Sequence, residues 1–121
     1  MEARYVFEVR FRVRAAGRVS IDPDTFVTRL VRPADQPGEP GWRFFRDNLW
    51  RGEIADSTHF RDMVDDALSV DVVDVEYRAL ETDEAYLDAL ESAIASDLQG
   101  FNADSVTETI SKYLGSSIEV V

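Results

Sequence analysis

The chain has 121 residues, enough for one domain that buries its own core, and an apolar fraction of 45% argues against disorder. It lacks cysteine, which excludes disulfides, thiolate catalysis and Cys-ligated metals, and it has no apolar run long enough to cross a bilayer. Acidic residues outnumber basic residues by 24 to 13, which gives a formal net charge of −11.

The N-terminal part of the chain predicts two strands. Met1–Arg4 leads into the first strand without the charged, apolar and small-residue zones of a signal peptide, so we expect a cytoplasmic protein. From Tyr5 to Arg14, apolar and charged residues alternate, and a period of two is typical of a half-buried strand. The β-branched and aromatic residues of Thr25–Arg32 predict the second strand.

A loop and a third strand are predicted next. Pro33–Gly41 contains three prolines and two glycines, a composition that favours a loop over regular structure. The aromatic-rich stretch Trp42–Trp50 predicts a third strand with a bend near Asp47 and Asn48.

Helix signals dominate the remainder of the chain. Asp56 or Ser57 is a suitable cap for a helix that runs to about Leu68. After a predicted strand at Val72–Arg78, Thr82 is the expected cap of a second helix, which Gly100 would end.

The C-terminal segment predicts one more helix and one more strand. Ser105 and Glu108 have the spacing of a capping box, and Gly115 marks the end of the helix that follows. Ser117–Val121 predicts a short closing strand. The order β-β-β-α-β-α-α-β indicates an α+β domain over residues 1–121, with a mainly antiparallel sheet of about four or five strands and helices packed on one face.

The charge is divided between the two halves of the chain. Residues 1–52 contain 10 arginines against 7 acidic residues, whereas residues 53–121 contain 3 basic residues against 17 acidic ones. If helices cover one face of the sheet, its other face would display the alternating residues Arg10, Arg12 and Arg14, and could also display Arg29 and Arg43. Such a row either tracks an anionic partner or pairs across strands with acids such as Asp74 and Glu76.

Lysine is almost absent, since Lys112 is the only one. Carboxylates retain water where salt competes for it, and molar salt shortens the Debye length to roughly 3 Å, so a large net charge becomes tolerable. The composition is therefore typical of a protein adapted to molar salt, whereas an acidic protein from ordinary conditions would usually carry many lysines.

The most unusual segment is Gly41–Gly52, which holds both tryptophans, two phenylalanines and three arginines. Arginine interleaved with aromatic residues suits a surface that stacks on bases or anchors a protein partner. The alternative is that the rings belong to the core and the arginines lie over them or pair with carboxylates.

Four stretches of the chain have a recognisable sequence: Phe44–Glu53, which contains a Leu-Trp-Arg signature, Thr82–Leu90, Phe101–Val106 and Lys112–Ile118. Through them the chain resembles the haloarchaeal LWR-salt proteins over nearly its whole length. The resemblance implies a haloarchaeal setting, brings no catalytic residue or cofactor with it, and draws attention to Leu49, Trp50 and Arg51.

Other candidate sites are weaker. His59, the only histidine, has Asp62 and Asp66 at helical spacing, but an exposed helix start is the simpler interpretation. The pairs Asp22/Asp24 and Asp65/Asp66 lack the ligand spacing of a calcium or magnesium loop, and Ser116 and Ser117 have no histidine near them in sequence. We therefore expect no catalytic residue, no cofactor and no dedicated metal site.

The sequence as a whole favours a non-enzymatic binding module without a membrane role. Its basic, aromatic N-terminal half would recognise RNA or an acidic protein, while the oligomeric state stays open. The alternative is a small enzyme, or a small-ligand or metal-binding protein, that uses carboxylates of the acidic C-terminal half. The predicted binding residues are Trp42, Arg43, Arg46, Trp50, Arg51, Arg10, Arg12 and Arg14.

Overall fold

The computed structural model of the protein describes residues 1–15 and 17–121 and has the α+β architecture that the sequence predicts. A short 3₁₀ helix at Leu98–Phe101 precedes the last α-helix. In chain order the elements are β1 (Ala3–Arg12), β2 (Thr25–Pro33), α1 (Phe44–Asn48), β3 (Leu49–Trp50), β4 (Glu53–Ile54), α2 (Ser57–Leu68), β5 (Asp71–Thr82), α3 (Glu84–Ala95), α4 (Val106–Tyr113) and β6 (Ile118–Val120).

The main sheet has four strands in the order β2-β1-β5-β6. β1 lies antiparallel to both β2 and β5, whereas β6 is parallel to the end of β5. Strands β3 and β4 form a separate two-stranded hairpin. The sheet is therefore mostly antiparallel, as the sequence predicts.

One face of the sheet carries the core. Tyr5, Phe7 and Val9 alternate along β1 and are almost fully buried, because the helices cover this face. Phe7 packs against Phe60 of α2, with 4.8 Å between the ring centres, and Tyr5 packs against Phe44 of α1 at 4.7 Å. The opposite face is exposed at Arg10, Arg12 and Val27 and is called the open face below.

Helix caps explain where most of the helices begin. Asp56 caps α2 by accepting the His59 N–H at 3.1 Å, and Ser105 caps α4 by accepting the Glu108 N–H at 3.1 Å, as predicted. The prediction for α3 is wrong by one residue, since Asp83 is its cap and Thr82 lies buried at the end of β5. α3 also ends at Ala95, earlier than Gly100.

The predicted third strand, Trp42–Trp50, is mainly helical. Gly41 has φ of 87°, and the chain turns there into α1, leaving only Leu49 and Trp50 extended. The reason lies in the spacing of Trp42, Phe45 and Leu49, which are all buried. Intervals of three and four residues place side chains on one face of a helix, whereas a strand would have turned Phe45 away from Trp42.

Candidate functional site

The Leu-Trp-Arg segment forms a tight hairpin whose two central residues are Arg51 and Gly52. Leu49 pairs with Ile54, and Trp50 pairs with Glu53. Arg51 has φ of 53° and Gly52 has φ of 80°, so both central residues are left-handed, as the commonest two-residue hairpin turn requires. Leu49 points into the core and Trp50 points out of it.

The turn of the hairpin is fastened to the C-terminal end of α4. The Arg51 N–H donates to the Lys112 carbonyl at 2.8 Å, and the Gly52 N–H donates to the Tyr113 carbonyl at 2.9 Å. The last carbonyls of a helix have no partner within the helix, so these main-chain donors satisfy them. A Cβ on Gly52 would lie 3.1 Å from the Leu114 carbonyl oxygen, so a side chain there would crowd this approach.

Trp50 is an exposed aromatic side chain that lies close to two cations. Its side chain is 44% exposed, and its ring meets the Tyr113 ring edge-on with 5.8 Å between centres. The Arg51 guanidinium carbon lies 5.7 Å from the Trp50 ring centre, and the Lys112 ammonium lies 6.0 Å from it. Both cations are within the range at which a positive group is attracted to an indole face.

The Lys112 ammonium is held in place by neutral main-chain groups. It donates to the carbonyls of Phe101 and Asn102 at 3.2 and 3.0 Å. Within the part of the chain that the structure describes, neither Lys112 nor Arg51 forms an ion pair with a carboxylate. The hairpin surface, defined here as Trp50, Arg51, Lys112 and the buried Tyr113 ring on which Trp50 packs, therefore presents two positive charges that have no carboxylate within ion-pair distance among the described residues.

The other aromatic and basic residues of the segment have structural roles. Trp42 is only 5% exposed and packs against Phe101 with 5.6 Å between ring centres, so it belongs to the core. The Arg43 guanidinium lies over the Trp42 ring at 4.6 Å and pairs with Asp97 at 2.7 Å. These two residues have the arrangement that the alternative describes, a core ring with an arginine over it.

Arg46 is also engaged within the protein. Its Nε lies 3.0 Å from Asp47 Oδ1, and its Nη1 donates to the Gly100 carbonyl at 3.4 Å. Neither Arg43 nor Arg46 joins Trp50 in the hairpin surface.

The predicted arginine row lies on a different side of the molecule. Arg10 and Arg12 occupy the open face of the sheet, whereas the hairpin packs on α4 in the helical layer. Arg12 approaches Asp24 at 3.8 Å, and Arg14, just beyond β1, pairs with Asp71 at 2.8 Å. The predicted partners Asp74 and Glu76 are not the ones used, although Arg10 does lie opposite Asp74 in the register.

Sequence reasoning missed two residues of the hairpin surface, Lys112 and Tyr113. They belong to α4 and come to Trp50 only through the docking of the hairpin. The available signal was that the single lysine of an arginine-rich chain stands beside a tyrosine, but nothing local indicated which segment would meet them.

Carboxylates with shifted pKa values occur in structural settings. A hydrogen bond from Arg4 is the main cause that lowers the pKa of Glu81, and the Tyr86 and Glu2 N–H groups lower the pKa of Asp83. Among residues 1–15 and 17–121, no group of three His, Asp or Glu side chains is placed to hold a metal ion. In the same residues, no helix is both long and apolar enough to cross a membrane.

Comparison with known proteins finds one relationship. A family model described as LWR-salt protein matches residues 1–121, which is the whole chain. No curated protein and no solved structure matches.

Proposed function

The chain belongs to the LWR-salt protein family, and we propose that it is a non-enzymatic module that binds an acidic protein partner through the hairpin surface. The observation that carries this proposal is the exposed Trp50 ring beside two cations, neither of which has a carboxylate partner among the described residues. Tryptophan and arginine are the side chains that most often dominate protein interfaces. The two charges would meet carboxylates of the partner while the indole contributes apolar contact.

A protein partner suits the distribution of charge better than RNA does. Nucleic-acid binding needs a continuous basic surface along which successive phosphates lie. Here the arginine row and the hairpin surface lie on different sides of the sheet, and Arg12 and Arg14 are already near acidic groups. Only a compact pair of charges, Arg51 and Lys112, stands beside the aromatic ring.

The competing enzyme hypothesis draws little support from the carboxylates. A general acid needs a pKa raised towards the working pH, usually by burial. The pKa values of Glu81 and Asp83 are lowered instead, because each is a hydrogen-bond acceptor for fixed donors. Such carboxylates serve as ion-pair partners and helix caps.

We further infer that this binding takes place in a cytoplasm with molar salt. The support is compositional, namely a net charge of −11 with a single lysine. At that salt concentration long-range attraction is screened, so contact between groups that touch must supply the affinity. An aromatic anchor flanked by cations is suited to this requirement.

The proposal can be tested with Trp50 as its own fluorescent reporter. The variant Trp42→Phe leaves Trp50 as the only tryptophan, and its emission can be followed in molar KCl during titration with oligoglutamate or oligouridylate. We expect saturable quenching or a spectral shift with the acidic peptide, and its loss in Arg51→Glu. Arg61→Glu is the matched control, because Arg61 is exposed on α2, outside the hairpin surface.

The loss of affinity expected for Trp50→Ala follows from the usual contribution of an aromatic side chain at an interface. Removing an exposed aromatic anchor commonly costs about 2 kcal/mol of binding, which is roughly a 30-fold loss of affinity. Trp50→Ala should therefore weaken capture of the cellular partner by about that factor in affinity chromatography from a high-salt extract. Binding of oligouridylate alone would favour RNA over protein, and equal behaviour of Arg51→Glu and Arg61→Glu would remove the hairpin surface from the proposal.

A further inference from the structure

Strand β2 is a long, free edge strand of the main sheet. It pairs with β1 at all nine of its positions without a bulge, and in the described part of the chain nothing pairs with its other side. Proteins usually protect such an edge with charged side chains, above all lysine, or with an internal proline, a bulge or short length. Here the only proline is Pro33, the last residue of the strand, there is no lysine, and the central arginine, Arg29, is paired with Glu81 of its own chain.

The hydrogen bonds at its two ends show which residues of β2 have free main-chain groups. The Val13 N–H donates to the Asp24 carbonyl at 2.8 Å, and the Ala34 N–H donates to the Ala3 carbonyl at 3.0 Å. Bonding alternates along an antiparallel strand, so the even-numbered residues of β2 face β1. The free N–H and C=O groups therefore belong to Thr25, Val27, Arg29 and Val31.

The side chains along this free edge are arranged symmetrically. Val27 and Val31, which are 54% and 38% exposed, stand two residues before and two residues after Arg29. All three side chains lie on the open face of the sheet, since they stand opposite Arg10, Val6 and Glu8 of β1. A two-fold axis at Arg29 would thus bring Val27 of each copy opposite Val31 of the other copy.

We propose that β2 pairs antiparallel with β2 of a second copy of this chain, centred on Arg29. In this register Val27 faces Val31 of the second copy, and the free main-chain groups of both edges bond to each other. The two sheets of four strands join into one continuous sheet. Its outer strands are then the two copies of β6, which have three residues each and pair only with the last three residues of β5.

The charges at the centre are compatible with this pairing. Arg29 would face Arg29 of the second copy. Its Nη2 lies 3.1 Å from Glu81 Oε2 of its own chain, so each arginine is already paired with a carboxylate before the two copies meet. β2 itself contains no acidic residue. The net charge of −11 on each copy opposes association at low salt, and molar salt screens that repulsion. The dimer should therefore weaken as the salt is diluted.

The first test is the molar mass in molar KCl, measured by light scattering behind a sizing column. The native chain should approach twice its 13.7 kDa as protein concentration rises. Val27→Pro removes one outward N–H without touching the bonds to β1, and should halve that mass while the circular dichroism stays unchanged. A native chain that stays at 13.7 kDa, or a folded Val27→Pro that still dimerises, would overturn the proposal.

Two further variants keep the test decisive if Val27→Pro fails to fold. The double variant Val27→Lys with Val31→Lys leaves the backbone intact and should also halve the mass, whereas Val19→Lys in the loop before β2 should not. Since the chain has no cysteine, Arg29→Cys can be cross-linked to its copy by a short bis-maleimide. We expect rapid cross-linking of Arg29→Cys and little of Val19→Cys; equal yields would place the contact elsewhere.

Discussion

The two tryptophans offer the most direct test of which aromatic residues stabilise the fold and which contribute to binding. Trp42 is 5% exposed inside an aromatic cluster with Phe45 and Phe101, whereas Trp50 is 44% exposed. Truncating a buried tryptophan to alanine costs roughly 3–5 kcal/mol through lost burial and the cavity left behind. About half of the Trp50 side chain is buried, so Trp50→Ala should cost about 2 kcal/mol of folding stability.

The measurement is the free energy of unfolding of both alanine variants, from urea titrations in molar KCl followed by circular dichroism. The same samples are then used for partner capture. We expect Trp42→Ala to lose most of the stability and Trp50→Ala to remain folded but lose binding. If Trp50→Ala costs as much stability as Trp42→Ala, the hairpin tryptophan is a folding element, and the reasoning that makes it an anchor is refuted.

Three other outcomes are expected. Melting temperatures should rise from low to molar KCl, because screening relieves the self-repulsion of the net charge of −11; equal values would argue against adaptation to salt. Calorimetric titration with Mg²⁺, Mn²⁺ and Zn²⁺ should show no micromolar site, and a stoichiometric site at His59 would revive the enzyme hypothesis. The pKa of Asp83 is lowered by N–H donors, so its contribution to stability is present above its unfolded pKa of about 4 and is lost as the pH falls through the folded pKa. Asp83→Asn should therefore melt lower than the native chain at pH 7, with a smaller difference in acid.

The fold was predictable wherever local patterns are unambiguous. The alternation along β1 and the cap Ser105 are signals that neighbouring residues carry by themselves, and the structure confirms them. For α2 the sequence leaves Asp56 and Ser57 open, and the structure has Asp56. Thr82 and Asp83 are adjacent residues that can both cap a helix. Which of the two caps α3 depends on the pairing of β5 with β1. This pairing continues to Thr82 and leaves Asp83 as the first residue free to accept helix N–H groups.

The site was harder to predict because its parts are distant in sequence. Trp50 and Arg51 were recognised as unusual, but their exposure follows from the docking of the hairpin on α4, which main-chain hydrogen bonds create. Main-chain contacts leave no mark on residue identity, except at Gly52, where the approach is too close for a side chain. Trp42 shows the opposite case, in which an aromatic residue beside arginines is buried by rings from far along the chain.

The way in which the hairpin is fastened makes it a convenient platform for protein engineering. Its turn is held by two main-chain N–H donors, and these bonds do not depend on which side chains stand at positions 50 and 51. A library that randomises those two positions, while keeping Gly52 and avoiding β-branched residues at the left-handed position 51, should yield mostly folded proteins. Such a collection would present varied side-chain pairs on one fixed backbone, and selection from it could retarget the surface to new ligands in concentrated brine.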